Sequence, residues 1–167
     1  EPLWKSLHVD AGWENAVEAI LRERLAALPA DRADPAWSSD RPAGKLTLLL
    51  PLPGVSAPAL AEEHLLRKIR CDHSAWAAIL ADWLGKVLSA PDLASALARR
   101  SELSAGACWV TPGGDIVTRQ SVTLFAPDSA GHGLLERQRE IESLAAVIAA
   151  REESVATVQA GLGEAEA

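Results

Sequence analysis

The 167-residue chain has no methionine, no tyrosine, one phenylalanine and only two cysteines. Each absence excludes something. Without methionine even at position 1, the sequence is expected to be a segment excised from a longer chain. Cys71 and Cys108 sit in unrelated contexts, so neither a disulfide framework nor a zinc ribbon is suggested, and a reducing cytosol is the default setting. A basic segment leading into an apolar run is also missing, which removes a signal peptide. The longest apolar stretch, Leu46 to Leu52, is far too short to span a bilayer, so a soluble parent is expected. Positive charge is scarce as well. The formal charge of −7 argues against a protein whose whole surface grips nucleic acid. That charge is uneven: beyond Gly133 there are seven acidic and three basic residues, whereas residues 1–133 carry sixteen acidic and thirteen basic ones. Any contact with DNA must therefore be regional.

What is present is enough apolar sequence, 49%, to build the core of one ordinary domain with an appendage. The appendage is legible first. Leu134, Ile141, Ile148, Val155 and Leu162 recur every seven residues, with Arg137, Leu144, Arg151, Val158 and Ala165 three residues further on, which is the seam of a coiled coil. Such a helix runs ~50 Å at about 1.5 Å per residue. No other segment has the length or period to lie against it, so the arm predicts a missing partner helix. Gly161 and Gly163 predict a fraying tip.

Before the arm, Gly12-Trp13 opens an amphipathic helix with Trp13, Val17, Ile20, Leu21, Leu25 and Leu28 on one face, ended by Pro29. Residues 29–44 hold three prolines, Ser38-Ser39 and Gly44, a composition that favours turns and a mobile loop. Leu46 to Leu50 reads as a buried strand, and Pro58 as the first turn of a helix reaching Ile69. The second half repeats the plan loosely. Ser74 is the expected cap of a helix carrying Trp76, Ile79, Leu80, Trp83 and Leu84, with Gly85 as its stop and a strand at Lys86 to Leu88 after it. Pro91-Asp92 begins a helix to about Leu103. Ala107 to Thr111 and Ile116 to Thr118 flank Pro112-Gly113-Gly114-Asp115, a strong hairpin turn, and Val122 to Phe125 supplies a further strand. The expected fold class is α+β: two helix-and-strand lobes dividing near Cys71, residues 13–70 and 71–133, preceded by a lead-in at 1–12 and followed by a long coiled-coil helix at 134–167. The similar order of elements in the two lobes hints at an internal duplication.

Catalytic readings are weak. Cys71-Asp72-His73 offers a thiol, a carboxylate and an imidazole, but consecutive side chains point in different directions, and nucleophile and base are usually brought together from distant segments. A boundary between lobes is the simpler expectation. Glu62-Glu63-His64 lacks the second histidine that a helical zinc site needs, and His8 and His132, even if they met, make a poor metal site without further ligands. After Gly113-Gly114 no lysine follows at phosphate-loop spacing, so that pair is a turn. Basic residues at Arg67, Lys68 and Arg70, at Arg99-Arg100 and at Arg119 can contact phosphates, or can simply be solvated helix faces. Of the six tryptophans, Trp13, Trp76, Trp83 and Trp109 fit core packing better than base stacking, and Trp4 and Trp37 stay open.

Three stretches in order carry a family resemblance: Gly12-Trp13-Glu14-Asn15-Ala16-Val17-Glu18-Ala19-Ile20-Leu21, then Val110-Thr111-Pro112-Gly113-Gly114-Asp115-Ile116-Val117, then Leu135-Glu136-Arg137-Gln138-Arg139-Glu140-Ile141 leading into the heptads. Over nearly the whole chain this resembles the hinge domain of a bacterial SMC chromosome-partition protein with a stub of its returning arm. The resemblance implies a non-catalytic piece of an ATPase whose heads, with their ATP and magnesium, lie elsewhere, so no cofactor is expected here. It implies a homodimer through the hinge, a partner arm from the N-terminal side of the same parent, weak sequence-independent DNA contact, no membrane, and a cytoplasmic, nucleoid-associated setting. Pairing of edge strands would join two copies, because each strand otherwise exposes unpaired backbone groups.

The resemblance places the subunit contact at Val122, Leu124 and Phe125, DNA contact at Arg99, Arg100, Arg119, Arg137 and Arg139, and the seam at Leu134, Ile141, Leu144, Ile148, Val155, Val158 and Leu162. One departure stands out. Hinges of this family commonly carry paired glycines around the last strand, where this chain has Gln120-Ser121 and Phe125-Ala126. Two other classes of reading make different expectations. A stand-alone nucleic-acid module with incidental coiled-coil dimerisation predicts steeply salt-dependent DNA binding. A small hydrolase predicts a low-pKa thiol at Cys71 in a pocket.

Overall fold

The computed structural model describes residues 1–34, 37, 41–52, 62–126 and 133–165, and it falls into two compact units, Glu1–Gly133 and Leu134–Ala167. In the first, a 3-10 turn at Leu3–Ser6 leads into β1 (Leu7–Val9) and helix α1 (Glu14–Leu21). Of the apolar face read from the sequence, Val17 and Leu21 are buried and Trp13 and Ile20 half-buried, while Ala16 and Ala19, outside that reading, are buried as well. The helix stops seven residues earlier than its spacing suggests. Arg22 takes φ +49°, a left-handed backbone that ends the α-helical ladder, and the chain continues as a 3-10 turn, Arg22–Ala26, that still buries Leu25. Leu28 then lies exposed in β2 (Leu28–Pro29) and not on a helical face. Proline is tolerated there because the strand is at a sheet edge.

β2 pairs in parallel with β3 (Leu48–Leu49), Leu28 opposite Leu48. The expected strand at Leu46 to Leu50 is thus present but shorter, and of that run Leu49 alone is fully buried while Leu46 and Leu50 are exposed. The start of the helix expected from Pro58 lies outside the described residues. Its expected end is different: Leu65–Lys68 is a 3-10 turn and Ile69 belongs to β4 (Ile69–Cys71), antiparallel to β1 with Leu7 opposite Cys71 and Val9 opposite Ile69.

Helix α2 (Ser74–Leu84) carries Trp76, Leu80 and Leu84 inward, as the spacing requires. Its cap position is His73, not Ser74, and no side chain bonds the first amides. Gly85 ends the helix in an ordinary right-handed conformation, and its lack of a side chain matters for space: a Cβ there would lie 2.7 Å from the Ala81 carbonyl oxygen. β5 (Val87–Ser89) follows, then α3 (Leu93–Ala98), capped by the Asp92 carboxylate, which accepts from Ser95 N at 2.7 Å. α3 is shorter than expected and is extended by a 3-10 turn at Arg100–Glu102.

β6 (Cys108–Val110), β7 (Ile116–Val117) and β8 (Val122–Thr123) complete a four-stranded sheet in the order β5-β6-β7-β8. β5 and β6 run parallel, and α3 is the crossover that a parallel pair demands. The remaining pairs are antiparallel hairpins, Val110 opposite Ile116 and Val117 opposite Val122. Under this sheet Ala90, Ala96, Leu103, Ala107, Trp109 and Val117 form a closed apolar cluster. The second unit is one helix, α4 (Leu134–Ala165), of 32 residues, ~48 Å at about 1.5 Å per residue. Ile141, Leu144, Ile148 and Val155 of the seven-residue stripe are all more than half exposed on it. Leu134, Val158 and Leu162 are in the helix, and their side chains lie outside the described ones.

Candidate functional site

The sheet ends at β8, whose far side has no neighbouring strand among the described residues. An edge of this kind presents unpaired N–H and C=O groups, and proteins usually blunt it with charge or proline. Here it carries Val122, 41% exposed, and Leu124, 68% exposed. These two side chains put apolar surface beside unpaired backbone groups on the same edge.

The preceding hairpin fixes where β8 lies. Thr111 accepts at its hydroxyl from Asp115 N at 3.1 Å and donates the same hydroxyl to Asp115 Oδ2 at 3.4 Å. Gly114 N bonds Thr111 O at 2.9 Å, closing the turn. Gly114 sits at φ +90°, and a Cβ on it would be 2.7 Å from the Phe125 ring, so the turn needs glycine both for its backbone and for space. The Asp115 carboxylate then reaches across with Oδ1 to accept from Phe125 N at 3.0 Å. Of the three expected contact residues, Val122 and Leu124 are outward, whereas Phe125 is half-buried and already packed on Gly114 within its own chain.

The departure at the family's glycine positions has a local explanation. Gln120 and Ser121 form the turn between β7 and β8 without left-handed backbone, since Arg22 is the one non-glycine with positive φ among the described residues. The Thr118 hydroxyl holds that turn by accepting from Gln120 N at 3.2 Å and Ser121 N at 2.9 Å. A side-chain acceptor does here what glycine does through flexibility.

The five arginines expected at DNA fall in different surroundings. Arg99 is engaged on all sides: it donates two bonds to Glu63 at 2.8 and 3.1 Å, one to Glu102 at 3.0 Å, and its guanidinium lies 4.3 Å from the centre of the Trp109 ring. Glu63 is held below the usual carboxylate range by its hydrogen bond to Arg99, and Arg99 is raised in turn by Glu63. This is a structural clamp on the sheet's core. Arg100 and Arg119 are exposed in the first unit, and Arg137 and Arg139 are exposed on α4. Of the other basic cluster, Lys68 is committed to Asp10 at 3.9 Å and to the Trp13 ring at 5.7 Å.

The residues tempting for catalysis do not converge. Asp72 bonds His8 Nε2 at 2.9 Å, the His73 ring stacks on Trp76 at 4.4 Å, and the Cys71 thiol points at the His73 carbonyl at 3.6 Å. Burial pushes the Cys71 thiol above its ordinary value, opposite to what a nucleophile needs. His73 and Trp76 line an open groove of ≈ 440 Å³ with Glu1, Asp31 and Pro51, and Cys71 does not line it. His132 lies outside the described residues, so its meeting with His8 is not on view. Among the described residues no three His, Cys, Asp or Glu side chains cluster as metal ligands do.

The tryptophans resolve as well. Trp76 and Trp109 are buried, Trp13 and Trp83 are half-buried under Lys68 and Arg24, Trp4 lies beneath Lys5, and Trp37 is exposed. Reading sequence alone missed β1 and its pairing with β4, because three-residue strands carry too little alternation to be seen.

Comparison with known proteins adds three findings. Residues 1–100 match the family model described as the SMC proteins flexible hinge domain. The chain is 47% identical over 147 residues to the chromosome partition protein Smc of Burkholderia pseudomallei, and 40% identical over 168 residues to that of Bordetella petrii. These matches take in 85% and 98% of this chain but 12% and 14% of the relatives, so the chain spans about an eighth of their length. Among solved structures, an asymmetric dimer of the Geobacillus stearothermophilus SMC hinge domain matches with a TM-score of 0.74 at 23% identity, over 95% of this chain and 71% of that one. A Pyrococcus furiosus Smc hinge domain with an extended coiled coil matches at 0.55 and 17%, over 92% and 60%.

Proposed function

Because the chain belongs to the SMC flexible hinge family, we propose that it is the dimerisation hinge of a chromosome partition protein, joining two copies through the open edge of the β5-β6-β7-β8 sheet. The observation that carries this is β8 itself: its outer side has no neighbouring strand among the described residues, and Val122 on it and Leu124 just beyond it are exposed. Pairing two such edges satisfies backbone groups and removes apolar surface from water at once. The exposed stripe of Ile141, Leu144, Ile148 and Val155 belongs to a separate contact, with the partner arm from the N-terminal side of the same parent chain.

In the parent, ATP and magnesium chemistry would reside in heads beyond this segment, and the assembly would act on the cytoplasmic nucleoid. DNA contact is the weaker part of the reading. It falls to Arg100, Arg119, Arg137 and Arg139, with Arg99 held by Glu63 and Glu102. A handful of exposed arginines on a chain of net charge −7 supports weak, salt-sensitive, sequence-independent binding.

Sedimentation equilibrium on three proteins tests the hinge reading: the chain itself, Val122→Asp with Leu124→Asp, and Leu144→Asp with Ile148→Asp. The chain and the arm variant are expected to be dimers at micromolar concentration and the edge variant a monomer. An arm variant that is monomeric while the edge variant dimerises would replace the hinge with a simple coiled-coil dimer.

A further inference from the structure

Which backbone groups of β8 face the free edge follows from the bonds that hold its two ends. In an antiparallel strand the N–H and C=O of one residue point to the same side, and the side alternates along the chain. Ser121 O is taken by Thr118 N at 2.8 Å. Phe125 N is taken by Asp115 Oδ1 at 3.0 Å. Both residues therefore turn inward, towards β7 and its hairpin, and they have the same parity. Val122 and Leu124, of the opposite parity, turn their N–H and C=O outward.

The ladder does not by itself secure this arrangement as far as Leu124. Pairing of β7 with β8 ends at Ile116 opposite Thr123. Beyond it the partner chain has become the Gly113-Gly114 turn and offers no strand. The Asp115 carboxylate takes over there, with one oxygen on Phe125 N and the other bonded by the Thr111 hydroxyl, whose oxygen in turn receives Asp115 N. The carboxylate is thus oriented from two sides, and the Phe125 ring is seated over Gly114.

We infer that Asp115 is a positioning residue for self-association. Its carboxylate continues the β7–β8 ladder past Thr123 and presents the outward N–H and C=O groups of Val122 and Leu124, in register, to a strand of a second copy of this chain. The inference rests on the reading of β8 as the hinge contact, and it adds the register and the group that enforces it.

The test uses the full chain, Asp115→Ala and Asp115→Asn, with amide hydrogen exchange followed by NMR over a range of protein concentrations beside sedimentation equilibrium. In the unaltered chain, protection of the Val122 and Leu124 amides is expected to rise with the dimer fraction, while Phe125 is protected at every concentration. Asp115→Ala should lose Phe125 protection even when dilute and weaken the dimer about tenfold. Asp115→Asn keeps a carbonyl oxygen in place and should restore both. Concentration-dependent protection at Thr123 and Phe125 in place of Val122 and Leu124 would overturn the register, and an Asp115→Ala dimer as tight as the original would overturn the role of Asp115. If Asp115→Ala does not fold, the amide pattern of the unaltered chain decides the register, and Thr111→Val, which removes the hydroxyl that orients the Asp115 carboxylate, decides its role: lower Phe125 protection with a weaker dimer is expected, and an unchanged dimer would overturn it. A chain that stays monomeric at all concentrations removes the hinge contact itself, and the inference with it.

Discussion

The Glu18 carboxylate, 6% exposed in α1, accepts a hydrogen bond from the Gly133 amide at 3.0 Å, across 115 residues of chain. A buried carboxylate is tolerated only when such donors replace its water, so the bond ties the first helix to the last residue of the globular unit. Glu18→Ala is expected to lower stability by about 2 kcal/mol, and Glu18→Gln, which keeps a carbonyl oxygen, by less. Urea unfolding of both variants measures this through the midpoint at unchanged slope. Equal loss in the two would show that charge and not the Gly133 bond is what matters.

Gly114→Ala should cost about 2 to 4 kcal/mol, because it adds left-handed strain to a clash with the Phe125 ring. The neighbouring Gly113→Ala is the control. Its Cβ would meet the Thr111 and Asp115 side chains at ordinary distances of 3.7 and 3.9 Å with no unusual φ, so a change within about 0.5 kcal/mol is expected. Thermal unfolding of the pair reads the contrast directly.

The Glu63–Arg99 clamp sets an acid limit. Its hydrogen bond from Arg99 holds Glu63 below the ordinary value of 4.5, so the stability it contributes is fully present above that pH and is lost as pH falls through the lowered value. Melting temperatures from pH 7 to pH 3 should therefore fall more steeply below 4.5 for the original chain than for Glu63→Gln, the two curves converging at the acid end. Parallel curves would mean that the clamp is energetically silent.

Cys71 should behave as an ordinary, slightly sluggish thiol. Burial raises it above 9.0, so alkylation in a Cys108→Ser background should still be accelerating at pH 9. A rate that levels off below pH 8 would revive the hydrolase reading.

How far the sequence could be read depended on how much chain each element uses. α2, the Asp92-capped start of α3, the Gly113-Gly114 hairpin and the long α4 all have enough residues, or a strong enough turn signal, to show a period or a cap. β1, β2 and β4 are two or three residues long, and no alternation survives at that length. Pro29 signals a helix end in sequence but is a strand residue, because the true end at Arg22 carries neither glycine nor proline to mark it. Among the candidate site residues, Val122, Leu124 and Phe125 are placed by the family resemblance and not by local pattern. The commitment of Arg99 to Glu63 is not legible, since a salt bridge between residues 36 apart leaves no trace in local pattern.

The tryptophan placements also make this chain its own optical instrument. With no tyrosine and a single, weakly emitting phenylalanine in it, near-ultraviolet emission is dominated by indole. Trp109 is 1% exposed and Trp37 is 38% exposed, so the first emits from the packed interior beneath Arg99 and the second from a site that water reaches. Acrylamide reaches Trp37 before Trp109, so in a variant that keeps only those two of the six indoles a single cuvette follows the surface and the sheet interior as separate colours without any attached dye.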